Sequence, residues 1–373
     1  GFIVPRYWTV NQENKTFREY LLNEITLKSI AETCPFEGVD TENIVTIIKN
    51  CKNDKDEIKI YQDLDKIISY SHDIKKQSCI NNKYYEIITS LNEKTLEILN
   101  KIVINTTPLN QISESKRGME IGKNDCNNGT VKTLIGSDVN KYSINFENTY
   151  ITESHKEYCR LKNFFDKDLI LLRRVADGLI ATLAGELYSY NKNLYGIKID
   201  SQYNVKFILA LLNSNLMNFY YKNKFSMKKI DIFPEIQTYL YNQLPIPQIP
   251  LTDQQPFVEK AQTMLALTKQ LNELSNKFLK LLSADLGVVK ITKKLERWYN
   301  LETDEFFAES SKQNKNLSLS QKSQWLDHFE AEKQKALALQ NQITKTDAEI
   351  DKMVYALYGL SEEEIGVVEG LVV

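Results

Sequence analysis

Cysteine is scarce in this chain of 373 residues, and the five present are scattered. Cys34, Cys51, Cys79, Cys126 and Cys159 form no CxxC pair, so zinc-ligand spacing is absent. An odd count without a secretory signal points to reduced, mostly structural thiols and a cytoplasmic protein. Histidine is scarcer still: His72, His155 and His328 stand alone, each reading as a surface or core side chain, and no metal is expected. No run of about 18 apolar residues occurs, which excludes a transmembrane helix. The opening "GFIVPRYW" lacks the basic region and long apolar core of a signal peptide. Without a Met, it reads as a buried strand cut from something longer.

Catalytic signatures are missing too. There is no GxGxxG, P-loop or GxSxG, and no glycine-rich strand–turn–helix for a nucleotide cofactor. No two prolines are adjacent, so the [DNS]-P-P-[YFW] tetrapeptide of amino-directed methyl transfer is absent. Glu57 with Lys59, and Glu114 with Lys116, supply only the E-x-K half of a PD-ExK nuclease pattern, which chance explains. The chain therefore reads as carrying no complete active site and no cofactor of its own.

What is present is an uneven charge. The formal net charge of −2 argues against nucleic acid, but its distribution does not. Residues 100–250 hold 19 Lys and Arg against 14 Asp and Glu, and 251–299 hold 8 against 5. Residues 300–373 hold 7 against 14, and 1–99 hold 13 against 16. A basic middle and an acidic tail create a local field that favours phosphate where the total does not.

Hydrophobic patterning divides the chain into five parts. Residues 1–65 combine an apolar strand, a helix with Phe17, Tyr20 and Leu21 on one face, and three β-branched runs, "LKSIAETC", "ENIVTIIKNC" and "EIKIYQDL". These resemble the closing end of a mixed sheet. Residues 66–112 read as a connector, with helical spacing in "YYEIITSLNEKTLEILNKI". Residues 113–250 bring short strands and repeated turn signals, "KRGMEIGKND", "CNNGTVK" and "GELYSYNKNLYG". One helix, 204–222, interrupts them, and "LPIP" leads out as an extended segment. Residues 251–300 are a long helical connector, with apolar residues at threes and fours from Phe257 to Leu281 and Gly287 as the stop. Residues 301–373 are acidic and helical. One helix spans 323–343, another begins at Thr346, which has capping-box spacing to Glu349, and Gly359 is a natural C-cap. The fold class expected is α+β: a partial α/β edge, a mixed β-rich domain with a packed helix, then long α-helices.

Several stretches in one order carry a resemblance. They are "GFIVPRYW" with "FREYLL", "RGMEIGKN", "VKTLIGSDVNKY", "LILLRRVADGLIATLAGELYSYNKNLYGI", "LLNSNLMNFYYKNKF" followed by "LYNQLPIP", and "TDAEIDKMVYALYGLSEEEIG". This series resembles type IIG (TaqI-like) restriction–modification enzymes, whose C-terminal target-recognition domain gives specificity to a DNA adenine-N6 methyltransferase often fused to a nuclease. The resemblance covers nearly the whole chain. It departs where the segment after Asn124 is short, where Thr133 replaces the usual Pro, and where Ile135 stands in place of a frequent Arg.

The resemblance implies that 1–65 is the C-terminal remnant of a methyltransferase catalytic sheet and 113–250 the target-recognition domain. S-adenosylmethionine would then belong to the parent enzyme, bound upstream of Gly1. Double-stranded DNA and an upstream methyltransferase half, in cis or trans, would be the partners, with no membrane. Such enzymes extrude the target base while the recognition domain grips the duplex. Arg117, Lys123 and Asn124 lie beside two glycines on a loop, and Arg and Asn are side chains that read guanine and adenine edges. Arg173 and Arg174 adjoin an apolar strand, whose alternation sends one to each face. Tyr221, Lys222, Lys224, Lys228 and Lys229 make a basic, aromatic-interleaved cluster suited to phosphate. Lys132, Ser137 and Lys141 complete the expected DNA-binding set, while Asp138 suits a capping role. Two other functions fit the residues: half of a split methyltransferase, active only with its upstream partner, or a helical protein-interaction scaffold.

Overall fold

The computed structural model describes residues 1–33, 43–51, 56–64, 67–81, 85–89, 91–122, 129–146, 148–225, 235–312 and 319–371. The chain divides into two compact units, one of residues 1–106, 222–226 and 358–373, the other of 107–221 and 227–357.

The first unit is built on a mixed sheet of β1 (Phe2–Pro5), β2 (Thr26–Glu32), β3 (Asn43–Lys49), β4 (Glu57–Leu64) and β5 (Ile67–Lys75), in the order β1-β3-β2-β4-β5. Only β2 and β4 run parallel; the other neighbours are antiparallel. Period-two alternation buries Ile44 and Thr46 of β3 while Ile47 stays exposed. Helix α1 (Lys15–Asn23) buries Leu21 and Leu22. Its Phe17 and Tyr20, expected on the same buried face, are about half exposed. They line a cleft of about 680 Å³ with Phe2, Tyr7 and Trp8. Strand β1, expected to be buried, leaves Phe2 and Ile3 exposed. Arg18 is fully buried because three backbone carbonyls take its guanidinium: Nη1 donates to Trp8 O (2.6 Å) and Asn11 O (2.7 Å), and Nε to Tyr85 O (3.1 Å). After α2 (Lys76–Ile80), helix α3 spans only Glu93–Ile102. Asn92 caps it by accepting from the Thr95 N–H (2.9 Å), so the helical spacing read further upstream is not used as helix.

In the second unit β6 (Thr106–Pro108) leads into β7 (Ser113–Arg117), and β8 (Val131–Leu134) is followed by the short hairpin β9 (Val139–Asn140) and β10 (Ser143–Ile144). Then come β11 (Tyr150–Ile151), α4 (Lys156–Leu161), β12 (Ile170–Arg173), β13 (Ala181–Leu183), β14 (Ser189–Tyr190) and β15 (Leu194–Ile199). An antiparallel sheet runs β13-β12-β15-β7, and a smaller, mixed one runs β11-β8-β14, in which β8 is antiparallel to β11 and parallel to β14. Met119, Leu134, Ile151, Phe165, Leu171 and Tyr190 are among the residues of their common core. Gly196 is forced by packing, because a Cβ there would lie 2.1 Å from the Tyr190 hydroxyl.

The helix expected over 204–222 is two: α5 (Val205–Asn213) and α6 (Asn215–Phe225). Residues 207–212 are all fully buried, so α5 is apolar all round rather than striped. After α7 (Thr238–Tyr241), the proline-punctuated exit forms β16 (Pro245–Pro247), buried throughout. Helix α8 (Leu251–Leu286) is 36 residues long, about 54 Å at 1.5 Å per residue. Gly287 ends it in the left-handed conformation (φ 64°), as expected. Helices α9 (Thr303–Ser311) and α10 (Leu319–Leu357) pack with α8 around an aromatic core, where Phe278 stacks on Trp298 (3.7 Å between centroids) and Phe306 on Phe329 (4.2 Å). Two helices were expected within 323–357, but α10 is continuous. Thr346 caps nothing; its hydroxyl donates to Gln342 O (2.8 Å) inside the helix. Gly359 has φ 69°, as its C-cap role required. Helix α11 (Glu362–Val368) returns to the first unit, where Lys101 pairs with Glu364 (2.7 Å). The architecture is α+β. Among the described residues no helix is long and apolar enough to cross a membrane.

Candidate nucleic-acid interface

The ladders bring separate pieces of sequence to one end of the four-stranded sheet. Arg173, the last residue of β12, pairs with Leu194, the first of β15, and Arg117, the last of β7, pairs with Tyr195. Strands in a sheet lie about 4.8 Å apart, so Arg173 and Arg117, two strands apart, stand about 10 Å from each other. Between them the turn Asn191–Asn193 enters β15. It is held by the Asn193 N–H donating to Asn191 Oδ1 (3.0 Å) and the Arg174 N–H donating to Asn193 O (2.8 Å). Arg117 Nε donates to Lys192 O (3.3 Å). Gly136 sits against Asn193, since a Cβ there would lie 3.0 Å from the Asn193 Cβ, and this brings the exposed Ser137 to the same end.

Four cations lie at this end, Arg117, Arg173, Arg174 and Lys192, with two carboxylates, and the register sets Arg173 and Arg117 on opposite faces of the sheet. Lys192 pairs with Glu120 (2.6 Å) and holds that carboxyl below its usual range, chiefly by hydrogen bonding. Arg174 pairs with Glu235 (2.5 Å). Arg173 is partly buried, and its guanidinium makes no hydrogen bond or ion pair among the described residues. A planar fork of this kind presents parallel donors to a phosphate or to the O6 and N7 of guanine. Lys192 and Asn193 were not singled out in the sequence; "YNKN" reads there only as a turn, and nothing local says which strand ends it will join.

The other expected residues have other surroundings. Lys132 lies further along β8, pairs with Glu186 (3.0 Å) and stands over the Tyr188 ring. Lys141 turns inward and donates to Asn213 O (2.8 Å). Tyr221 is buried, which pushes its phenol well above the usual range. Lys222 and Lys224 belong to the first unit, where the Lys224 ammonium is paired with Glu86. Lys123, Asn124, Lys228 and Lys229 lie outside the described residues. Asp138 caps: its carboxylate accepts from the Ile135 N–H (2.9 Å).

The polar interruption "NSN" between α5 and α6 serves the backbone. The Asn213 amide meets Ala181 on both sides, Oδ1 accepting from its N–H (3.0 Å) and Nδ2 donating to its O (2.9 Å). It thereby closes the open edge of β13. The Ser214 hydroxyl donates to Leu211 O (2.7 Å) and accepts from the Met217 N–H (3.2 Å), ending one helix and starting the next.

Residues 131–246 match the family model of the TaqI-like C-terminal specificity domain, the family that the ordered motifs resemble. Residues 250–354 match a domain of unknown function (DUF8810). No curated protein matches the chain. Similar solved structures include the type IIL restriction–modification enzyme MmeI in complex with DNA, at 11% identity and a TM-score of 0.46 over 99% of this chain and 48% of that one. The type IIG restriction endonuclease BpuSI is similar at 12% identity and a TM-score of 0.36, over 70% and 41%. The type I S subunit from M. genitalium is similar at 14% identity and a TM-score of 0.34, over 54% and 49%. The chain spans about half the length of these structures.

Proposed function

We propose that this chain reads the base sequence of double-stranded DNA, as the specificity part of a type II restriction–modification protein whose methyltransferase acts on adenine N6. The observation that carries the reading is the specificity-domain match over 131–246, the stretch that holds Arg173, Arg174, Lys192 and Asn193 at one sheet end. The ends of β12 and β15 and the turn between Asn191 and Asn193 hold these groups, and fork-shaped donors on a fixed frame suit readout of groove edges, with lysines setting register on phosphates.

In this reading residues 1–65 are the last strands of a methyltransferase sheet, 66–112 and 251–300 are connectors, 113–250 is the reading domain and 301–373 is an acidic region facing protein. The chain has no glycine-rich turn to hold S-adenosylmethionine. The cofactor and the catalytic tetrapeptide are therefore assigned to an upstream half, in cis or trans. A split methyltransferase is the second reading. It is favoured by the aromatic cleft beside β1, where Phe2, Tyr7, Phe17 and Tyr20 lie open to a covering partner. Methyl transfer on adding a half that carries the cofactor motif is its test.

The first reading is tested by titrating labelled duplexes at several salt concentrations. A backbone-and-base reader gives a log–log salt slope of several units and keeps a preferred sequence at about 150 mM salt. Arg173→Ala weakens binding to that sequence without lowering the melting temperature. Binding that disappears at moderate salt without any preference overturns the reading.

A further inference from the structure

Both helix ends at the α5–α6 break are met by charge from outside the pair. The carbonyl of Asn213, at the negative end of α5, accepts from the Lys141 ammonium (2.8 Å). The N–H of Asn215, at the positive end of α6, donates to Asp351 Oδ1 of α10 (2.7 Å). Each charge has the sign its helix dipole favours. Asp347 lies one turn before Asp351 on the same face of α10 and interacts with Lys141, and both carboxylates act on the buried phenol of Tyr142. Tyr142 is itself fixed: it adopts a left-handed backbone (φ 58°), donates its N–H to Ala181 O (3.0 Å) and accepts at its own O from Thr268 of α8 (2.7 Å). On its other side α10 is tied to α8 by Lys260 and Glu349 (2.6 Å).

Asp351 of "TDAEID" thus seats the break inside "LNSN", although it lies 136 residues from the Asn215 N–H that it accepts from. We infer that α10 is a working part of the specificity domain, with Asp351 the positioning residue that fixes α6, so that the segment 131–246 reads DNA selectively only with α10 seated on it. The selectivity half of this statement rests on the proposed function; the seating itself does not.

The test uses the full chain and the pair Asp351→Ala and Asn215→Pro. Proline at 215 removes the N–H donor together with a side chain that is exposed. Ser214 already has the extended conformation a residue before proline requires (φ −67°, ψ 153°), and proline is favoured at the first helical position. A charge-assisted hydrogen bond of this kind corresponds to about a tenfold change. Each single variant is expected to raise hydrogen exchange across Leu212–Asn218 about tenfold, and the double variant no further. The preference for the selected duplex over a scrambled one falls by a similar factor in both variants, with the salt slope unchanged. Asp351→Asn, which keeps a neutral acceptor, falls between parent and alanine. Additive effects in the double variant, or unchanged exchange in the singles, overturn the inference. If the parent chain itself shows no sequence preference, the recognition reading fails, and the exchange coupling alone decides whether α10 holds α6.

Discussion

Replacing Asn213 by alanine removes the group that closes the edge of β13. The Ala181 N–H then has no acceptor in a buried site, while Ala181 O keeps the Tyr142 N–H. An orphaned buried N–H costs about 1–3 kcal/mol, and lost contacts of a fully buried side chain bring the total to about 2–4 kcal/mol. Asn213→Asp is the sharper probe. One carboxylate oxygen still accepts from the Ala181 N–H, but the other faces Ala181 O, so the ionised form is disfavoured by burial and by lone-pair repulsion. The folded pKa of the new aspartate is therefore raised above its unfolded value of about 3.9. Stability from such a group is fully present below the unfolded pKa and is lost as pH rises through the folded pKa. The deficit of Asn213→Asp relative to the parent chain should be small near pH 4, at about the unfolded pKa, and grow towards neutral pH. Urea unfolding followed by the fluorescence of the buried Trp298 and Trp325 measures both variants. An alanine variant within about 0.5 kcal/mol of the parent, well under the cost of an orphaned N–H, would refute the reasoning, as would an aspartate deficit that is flat with pH.

Other predictions follow from single sites. Gly196→Ala should cost about 1–3 kcal/mol, and Tyr190→Phe should relieve only part of it, because the Tyr190 ring carbon Cζ would still lie 2.6 Å from the new Cβ. An unchanged melting temperature contradicts this. Burial raises the pKa of Asp347, with Lys141 opposing, so its ionised form weakens the fold as pH rises. Asp347→Asn should then stabilise the chain at neutral pH, with the gain vanishing as pH falls towards the range where aspartate protonates in the unfolded chain; a gain that increases on acidification has the wrong sign. Cys79 is buried and its thiol is pushed up to about 12, whereas Cys51 and Cys159 are exposed. Peptide mass spectrometry after brief alkylation should find Cys51 and Cys159 modified and Cys79 intact, and equal labelling speaks against the packing around α2.

Much of the fold was legible where a pattern is local. The runs that became β2, β3 and β4 alternate β-branched residues, and Gly287 and Gly359 stop their helices because the left-handed cap favours glycine. The failures have a common cause: a short polar motif has the same spacing whether it caps, bonds within a helix or meets another chain segment. Ser214 breaks a helix and Thr346 does not, yet each is a hydroxyl residue in a helical pattern. What separates them is tertiary: Asp351 stands ready for the N–H after Ser214, and Thr346 has Gln342 O within reach. The candidate site was half legible for the same reason. Arg117, Arg173 and Arg174 can be chosen by residue type, but only the register of β7, β12 and β15 brings them to Lys192 and Asn193. Lys141 and Tyr221, chosen by the same criteria, point into the protein.

Selection from a randomised duplex pool by the purified full chain, at about 150 mM salt to suppress purely electrostatic binding, tests the central claim most directly. Enrichment of one short, adenine-containing sequence is the result the account predicts. Retention without sequence preference, or no retention at any salt, would contradict it.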